Sequence, residues 1–285
     1  YKKLKFFLVC ENPYYLDFNI NFICKNLSID DEFNNRINIT VNSLINYIVP
    51  TEDLLLKIEN TKSFHSRQLN FKPTSSFNFI RFYFDKLLPN DINRFIYLDS
   101  DMIVKGDIEN IFNAFEKKYI LGVVFPIIPY KLDSKDWIMN NRYRKSLPKD
   151  HLFNAGMYIV NLKSWKHFNY SEKCIELIKK NKENKIYEGG TQSVMNIVCK
   201  NFQEIDMSWN QTGLSEGKLY DNDLTNSVEK ANIIHYTGFF KPWLEKAKGN
   251  IQLNFLEEWY IYLSDLNPRY LNYNPNITDI LTIII

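Results

Sequence analysis

Short apolar runs alternate with amphipathic stretches along most of the chain. The apolar runs are rich in β-branched and aromatic residues, which is typical of strands, whereas the amphipathic stretches repeat apolar residues at helical spacing. Alternation of strands and helices predicts an α/β domain around a mainly parallel, Rossmann-like central sheet. Predicted strands lie at residues 4–9, 37–41, 95–98, 102–104, 119–125, 231–236 and within 153–162, and predicted helices at 20–27, 79–87, 108–115, 171–180 and 188–198.

The predicted strand at residues 95–98 ends in two alternating carboxylates. Asp99 and Asp101 follow the apolar run directly, and in an extended backbone both side chains could face one way, with Ser100 facing the other. In open α/β sheets, ligands bind beyond the carboxyl ends of the strands. Two converging carboxylates repel each other, and a hard divalent cation relieves that repulsion. The pattern indicates a metal site, although Asp-Ser-Asp is also typical of a polar turn that ends a strand.

A second indication of a metal lies late in the chain. His235 lies near the end of the predicted strand at 231–236, and a neutral imidazole there could complete a site that already holds two carboxylates. Mixed nitrogen and oxygen ligation favours Mn²⁺ over Ca²⁺. A lone histidine in an apolar strand is otherwise a hydrogen-bonded core residue. Gly238 permits close backbone approach and Lys241 supplies a point charge, and the two together are typical of one side of a diphosphate pocket.

Composition narrows the function classes. The 285 residues are 45% hydrophobic, enough for a large core, and the net charge of +2 does not indicate nucleic acid as the main partner. Four cysteines without CxxC spacing favour a reducing, cytoplasmic setting and no zinc site. The sequence shows no signal peptide or membrane span, and the Asn-rich composition gives sequons such as Asn210-Gln211-Thr212 little weight. The pattern predicts a main domain over 1–249 and an aromatic extension over 250–285.

Four motifs in order resemble glycosyltransferase family 8, which includes bacterial lipooligosaccharide galactosyl- and glucosyltransferases and glycogenin. The resemblance extends from about Arg81 to Trp243, and more loosely from the first strand. Each motif alone is weak, whereas four in the right order and spacing are specific. They are Asp99-Ser100-Asp101, Phe153-Asn154-Ala155-Gly156 leading to Asn161-Leu162, Gly189-Gly190-Thr191-Gln192 with Asn196, and His235-Tyr236-Thr237-Gly238 leading to Lys241-Pro242-Trp243.

The resemblance implies a GT-A fold, a UDP-sugar donor, and Mn²⁺, with Mg²⁺ as an alternative, held by Asp99, Asp101, His235 and the donor diphosphate. It implies retention of anomeric configuration, with Gln192 near the anomeric carbon. The remaining implied donor contacts are Asp99 and Ser100 at the ribose or sugar, Arg81, Asn154 and Ala155 at the sugar, Gly238 and Lys241 at the phosphates, and Leu8, Asn12 and Tyr14 at the uracil.

The chain departs from the family pattern at two positions. Cys10-Glu11-Asn12-Pro13 carries one carboxylate where the family usually has an acidic pair. Thr191 stands where members commonly carry an aspartate that binds sugar hydroxyls. Three hypotheses follow: Thr191 binds the sugar with altered donor preference, Glu188 substitutes for the aspartate, or catalysis is weak or absent. We favour the first, because a metal site and Lys241 have little purpose without a diphosphate.

The sequence thus predicts a retaining hexosyltransferase that moves glucose or galactose from a UDP-sugar to a glycan or glycolipid, in surface polysaccharide or lipopolysaccharide synthesis. A non-catalytic nucleotide-sugar or glycan-binding relative is the main alternative. A nucleotidyltransferase is disfavoured, because no glycine-rich phosphate loop follows the first strand. The aromatic extension could cover the acceptor site, make a peripheral contact with the inner face of a membrane, or pack as an ordinary helix.

Overall fold

Seven strands form a central mixed sheet in the computed structural model. The structure describes residues 6–9, 45–48, 50–64, 76–126, 133–215, 228–238, 240–242, 256, 258–259 and 282–284. The described residues contain nine strands in all, of which two form a separate small sheet. They are β1 (Phe6–Val9), β2 (Ile45–Ile48), β3 (Arg94–Leu98), β4 (Met102–Val104), β5 (Leu121–Val124), β6 (Asn154–Asn161), β7 (Phe202–Glu204), β8 (Ile233–His235) and β9 (Thr282–Ile284). The sheet order is β2-β1-β9-β3-β6-β5-β7, and β4 pairs with β8 in a separate two-stranded sheet.

The helices lie between these strands. They are α1 (Glu52–Phe64), α2 (Phe84–Leu87), α3 (Ile108–Ala114), α4 (Asn141–Lys145), α5 (Leu162–His167), α6 (Tyr170–Asn184) and α7 (Gly190–Val198). Short 3₁₀ helices cover Ser76–Phe82, Lys135–Trp137 and Met207–Trp209. Strands and helices alternate along the described chain, so the α/β class is confirmed. None of the described helices is long and apolar enough to span a bilayer.

The prediction of a mainly parallel sheet is wrong, because the sheet is mixed. Only the β1–β2 and β5–β7 pairs in the described sheet are parallel, and β6 runs antiparallel to both of its neighbours, β3 and β5. Every residue of β6 is buried. A strand buried on both faces has a continuous apolar pattern in either direction, so its sequence does not indicate whether it runs parallel or antiparallel to its neighbours.

Several element boundaries also differ from the predictions. The helix predicted at 79–87 is divided at Tyr83 into the 3₁₀ helix Ser76–Phe82 and α2. Six of the numbered elements have no counterpart among the predicted ones, namely the helices α1, α4 and α5 and the strands β2, β7 and β9. The predicted helix at 20–27 and strand at 37–41 lie outside the described residues. The predicted boundary between a main domain and an extension at residue 250 stays a prediction, although β9 pairs with β1 and β3 of the central sheet.

Two strand pairings bring the polar strand ends together. In the β3–β6 ladder, Leu98 lies opposite Met157, and the next hydrogen bond runs from Asp99 N–H to Gly156 C=O at 2.8 Å. In the β4–β8 ladder, Met102 lies opposite His235. The end of β3, the start of β6 and the end of β8 therefore meet at one edge of the fold.

A buried asparagine joins α7 to the residue before β6. Asn196 Oδ1 accepts a hydrogen bond from Phe153 N–H, and its Nδ2 donates to Phe153 C=O, both at 3.0 Å. Both backbone groups lie in the core, where an unpaired polar group is costly. This clamp sets the position of α7, which carries Gln192, relative to Asn154 and Ala155.

Asn196→Ala should lower the free energy of unfolding by about 1–3 kcal/mol, because it leaves both backbone groups of Phe153 unpaired in the core. Urea denaturation followed by circular dichroism measures the change. Asn184→Ala is the matched control, because the Asn184 side chain bonds the Lys180 carbonyl on the exposed face of α6. Equal, small losses in both variants would contradict the clamp.

Candidate active site

Two carboxylates and an imidazole converge at the edge where β3, β6 and β8 meet. His235 Nε2 lies 3.1 Å from Asp101 Oδ1 and 4.0 Å from Asp99 Oδ2. One ligand atom from each residue lies within 4.8 Å of the other two. The structure thus brings together the three side chains that the sequence analysis proposed as metal ligands. Two carboxylate oxygens and one imidazole nitrogen form a donor set that suits Mn²⁺.

The two carboxylates have different electrostatic surroundings. Burial raises the pKa of Asp99, and the positive charge of Arg81 opposes that rise without cancelling it. Burial also acts to raise the pKa of Asp101, but His235 and Lys241 outweigh it and the pKa is lowered. Asp101 is therefore ionised throughout the neutral range, as a metal ligand must be.

Asp99 is held from behind by a tyrosine and an arginine. Its Oδ1 accepts a hydrogen bond from Tyr97 Oη at 2.7 Å, and Arg81 Nη2 lies 3.4 Å away. Arg81 also donates to Tyr97 Oη, Ala155 C=O and Asn78 C=O. Its side chain is 5% exposed, so Arg81 lies beneath the site and contacts the residues that line it.

Lys241 lies on the other side of Asp101. Its Nζ donates to Asp101 Oδ2, and to Tyr236 C=O at 2.6 Å. Gly238 lies between β8 and Lys241 in the sequence and adopts φ +110°, a conformation that other residues rarely adopt. The residues proposed from the sequence for the phosphates therefore lie next to the proposed metal ligands.

Gln192 has both ends of its amide hydrogen-bonded. Its Oε1 accepts from Ala155 N–H at 2.9 Å, and its Nε2 donates to Asp133 Oδ1 at 2.5 Å. Asp133 is not among the predicted site residues, and it lies near the start of residues 131–150, whose sequence shows neither helical nor strand periodicity. A buried carboxylate there gave no sequence signal, because its partner lies 59 positions away.

The other predicted site residues fall into three groups. Ala155 is buried behind Gln192, and Thr191 is half-buried in the first turn of α7. Ser100 is exposed between the two aspartates. At the predicted uracil site, Leu8 belongs to β1, of which only the backbone is described, and Asn12 and Tyr14 lie outside the described residues.

Comparison with protein families and solved structures identifies similar proteins. The model of the family described as "Glycosyl transferase family 8" matches residues 8–247. A probable galacturonosyltransferase-like 10 of Arabidopsis thaliana is 28% identical over 214 residues, covering 71% of this chain and 58% of that protein. Glycosyltransferase 8 domain-containing protein 1 of Mus musculus is 31% identical over 212 residues, covering 64% of this chain and 54% of that protein. The chain thus spans little more than half the length of these relatives.

Solved structures of low sequence identity share the fold. An active-site mutant of LgtC matches with a TM-score of 0.60 at 14% identity, over 95% of this chain and 97% of that one. The galactosyltransferase LgtC in complex with donor and acceptor sugar analogues matches with a TM-score of 0.57 at 16% identity, again over 95% and 97%. The predicted GT-A glycosyltransferase fold is therefore confirmed.

Gly156 allows the imidazole and Asp99 to approach β6. A Cβ at this position would overlap the His235 ring and come within 2.9 Å of Asp99 Oδ2. If the three side chains bind Mn²⁺, Gly156→Ala should displace two of them and weaken that binding about tenfold or more, which a titration followed by electron paramagnetic resonance measures. Gly122→Ala is the control, because its Cβ would meet Ile205 Cδ1 at 2.6 Å in the core. A normal Mn²⁺ affinity in Gly156→Ala would contradict the proposed ligand set.

Proposed function

The chain belongs to glycosyl transferase family 8, and we propose that it transfers a hexose, glucose or galactose, from a UDP-sugar to a glycan or glycolipid acceptor. The observation that carries this proposal is the convergence of Asp99, Asp101 and His235 beside Lys241. This arrangement suits a nucleotide diphosphate, whose oxygens need both a divalent cation and a fixed positive charge. Synthesis of a surface polysaccharide or lipopolysaccharide is the proposed setting.

The proposed metal ligands are Asp99, Asp101 and His235, with Mn²⁺ favoured and Mg²⁺ as an alternative. A divalent cation bound there supplies Lewis acidity toward the diphosphate leaving group. Lys241 adds a positive charge of its own, so its ammonium stabilises the negative charge that develops as the glycosyl–phosphate bond breaks. Since Lys241 Nζ now donates to Asp101 and Tyr236 C=O, a diphosphate would compete with these oxygens for the same ammonium.

Gln192 is the proposed group at the anomeric carbon. An amide is a weak nucleophile, so we assign it to stabilising the positive charge that develops on the sugar. The bonds to Ala155 N–H and Asp133 fix the orientation of the amide, and the Asp133 carboxylate makes its carbonyl end more electron-rich. The acceptor hydroxyl then attacks from the face that the diphosphate leaves, and its proton passes to the departing phosphate. The anomeric configuration is retained, and a glycosyl adduct trapped on Gln192 would refute this route.

Asn154 is the described residue best suited to bind a sugar hydroxyl. Its Oδ1 accepts from Gly156 N–H and from Asn210 Nδ2, while its Nδ2 makes no hydrogen bond to the part of the chain that the structure describes. An amide donor beside the metal ligands supports the proposed sugar contact. Arg81, by contrast, uses its donors on protein groups, so we propose that it contributes by holding Asp99 and Ala155.

The aromatic extension is proposed to border the acceptor. Trp259 packs edge-on against Tyr236, with ring centroids 5.6 Å apart, and Leu256 joins the same apolar cluster. Glu258 forms an ion pair with Lys105 at 3.5 Å. These contacts support a position for Leu256, Glu258 and Trp259 next to β8, whose last residue is His235. Contact of the remaining extension with a membrane-bound acceptor remains part of the proposal.

The central test is transfer from a panel of UDP-sugars in the presence of Mn²⁺ or EDTA. We expect hydrolysis or transfer with Mn²⁺ and none with EDTA, and anomeric NMR should show retention. Asp101→Asn should lower the rate about 10²–10³-fold, because it removes one charged ligand of the leaving-group site. Asp136→Asn is the control, since this exposed carboxylate pairs only with Arg144 in the described structure, at 3.6 Å.

The same assay separates the alternatives. Thermal stabilisation by UDP and Mn²⁺ without turnover of any donor would favour a non-catalytic binding relative. Stabilisation by other nucleotides, with pyrophosphate release, would favour a nucleotidyltransferase. Turnover unaffected by EDTA would contradict the proposed metal site.

Thr191 is the proposed determinant of donor preference. It lies in the first turn of α7, directly before Gln192, where a hydroxyl can bind a sugar hydroxyl without adding charge. Thr191→Asp should change the ratio of kcat/KM between donor hexoses by about tenfold or more, since one hydrogen bond to a charged group stabilises by about 1.5–3 kcal/mol. The donor panel measures this ratio. An identical preference in the parent and the variant would count against the assignment.

A further inference from the structure

A chain of hydrogen bonds runs behind His235, on the side away from the carboxylates. His235 Nδ1 lies 2.9 Å from Asn210 Oδ1, and Asn210 Nδ2 lies 3.1 Å from Asn154 Oδ1. Asn154 Oδ1 also accepts from Gly156 N–H at 2.9 Å. His235, Asn210 and Asn154 are all buried. This series of hydrogen bonds thus links the imidazole to a backbone amide of β6 through the side-chain amides of Asn210 and Asn154.

The backbone amide determines the direction of every bond in this chain. A peptide N–H can only donate, so the group that faces Gly156 N–H must be the oxygen of Asn154. That oxygen can accept a second hydrogen bond but cannot donate one, so Asn210 presents its Nδ2 there. Asn210 therefore presents its oxygen to His235, and the imidazole must donate from Nδ1. Turning either amide over would bring two donors or two acceptors together.

We propose that Asn210 is a positioning residue that holds His235 in the tautomer required of a metal ligand. With its Nδ1 hydrogen held by Asn210, the ring directs Nε2 toward Asp101 and Asp99, which lie 3.1 and 4.0 Å from it, and a cation that displaces the Nε2 hydrogen would meet the lone pair of that nitrogen. Without an acceptor at Nδ1, the opposite tautomer can donate from Nε2 to Asp101 and occupy the position of the metal. Partners of this kind behind a ligating histidine typically change metal affinity 10–100-fold. The inference rests on the metal site of the proposed function.

Two substitutions of similar size separate this role from a purely structural one. Asn210→Asp keeps an oxygen for His235 Nδ1–H and loses the amide donor to Asn154, whereas Asn210→Leu loses both bonds. If Asn210 mattered only by holding Asn154, the two variants would be impaired alike. If it positions His235, Asn210→Asp should bind Mn²⁺ within about threefold of the parent, and Asn210→Leu should bind about 10–100-fold more weakly.

The experiment measures Mn²⁺ affinity by electron paramagnetic resonance, and then the ¹⁴N modulation of the bound Mn²⁺ at saturation, in the parent and both variants. The modulation reports an imidazole ligand directly, so it should persist in the parent and in Asn210→Asp and disappear in Asn210→Leu and in the reference variant His235→Ala. Circular dichroism and thermal unfolding establish that each variant is folded.

Each further outcome is decisive. Equal affinities in Asn210→Asp and Asn210→Leu, or an unchanged ¹⁴N modulation in Asn210→Leu, would overturn the positioning role while leaving the metal site intact. Failure of the parent to bind Mn²⁺ would overturn the proposed metal site, and the positioning role with it. If Asn210→Leu does not fold, a lost ¹⁴N modulation in Asn210→Asp would still overturn the proposal, and a retained one would support it.

Discussion

The arrangement of the site depends on the repulsion between two partly buried carboxylates. Asp99 and Asp101 both approach His235, and neither is fully exposed to water that would screen its charge. Positive groups offset the repulsion from opposite sides: Arg81 lies behind Asp99, and Lys241 lies against Asp101. The protein therefore surrounds a pair of anions with cations, and a bound metal would add to charges that already balance in part.

Two short β-ladders position these side chains. The β3–β6 pair ends at Asp99 and Gly156, and the β4–β8 pair sets His235 opposite Met102, one residue after Asp101. Strand ladders hold their ends with little freedom, which suits a site whose ligand atoms must lie within a few ångströms of one another. Gly156 is part of this arrangement, because a side chain there would occupy the space of the imidazole.

The sequence pattern predicted those site residues that lie next to a strand. Asp99 and His235 come at the end of apolar runs, and Asp101 lies in the polar break between two such runs, so the local pattern alone indicated that all three lie at strand ends. Contacts between distant residues left no such pattern. Asp133 binds Gln192, which lies 59 positions later in the sequence, and Asn210 was noted only as part of a sequon. The sequence also did not indicate the direction of β6, because a fully buried strand has no alternation of apolar and polar residues and is apolar whichever way it runs relative to its neighbours.

Arg81 illustrates how a correct motif can lead to a different interpretation of one residue. The family resemblance implied a contact with the donor sugar, yet the guanidinium donates to Asn78 C=O, Ala155 C=O, Tyr97 Oη and Asp99 Oδ1. These bonds engage all three nitrogens of the guanidinium. A fixed cation here keeps Asp99 near the other ligands and holds Ala155, whose N–H in turn orients Gln192. One buried arginine thus connects the proposed metal ligand Asp99 to Ala155, which orients the proposed sugar-facing residue Gln192.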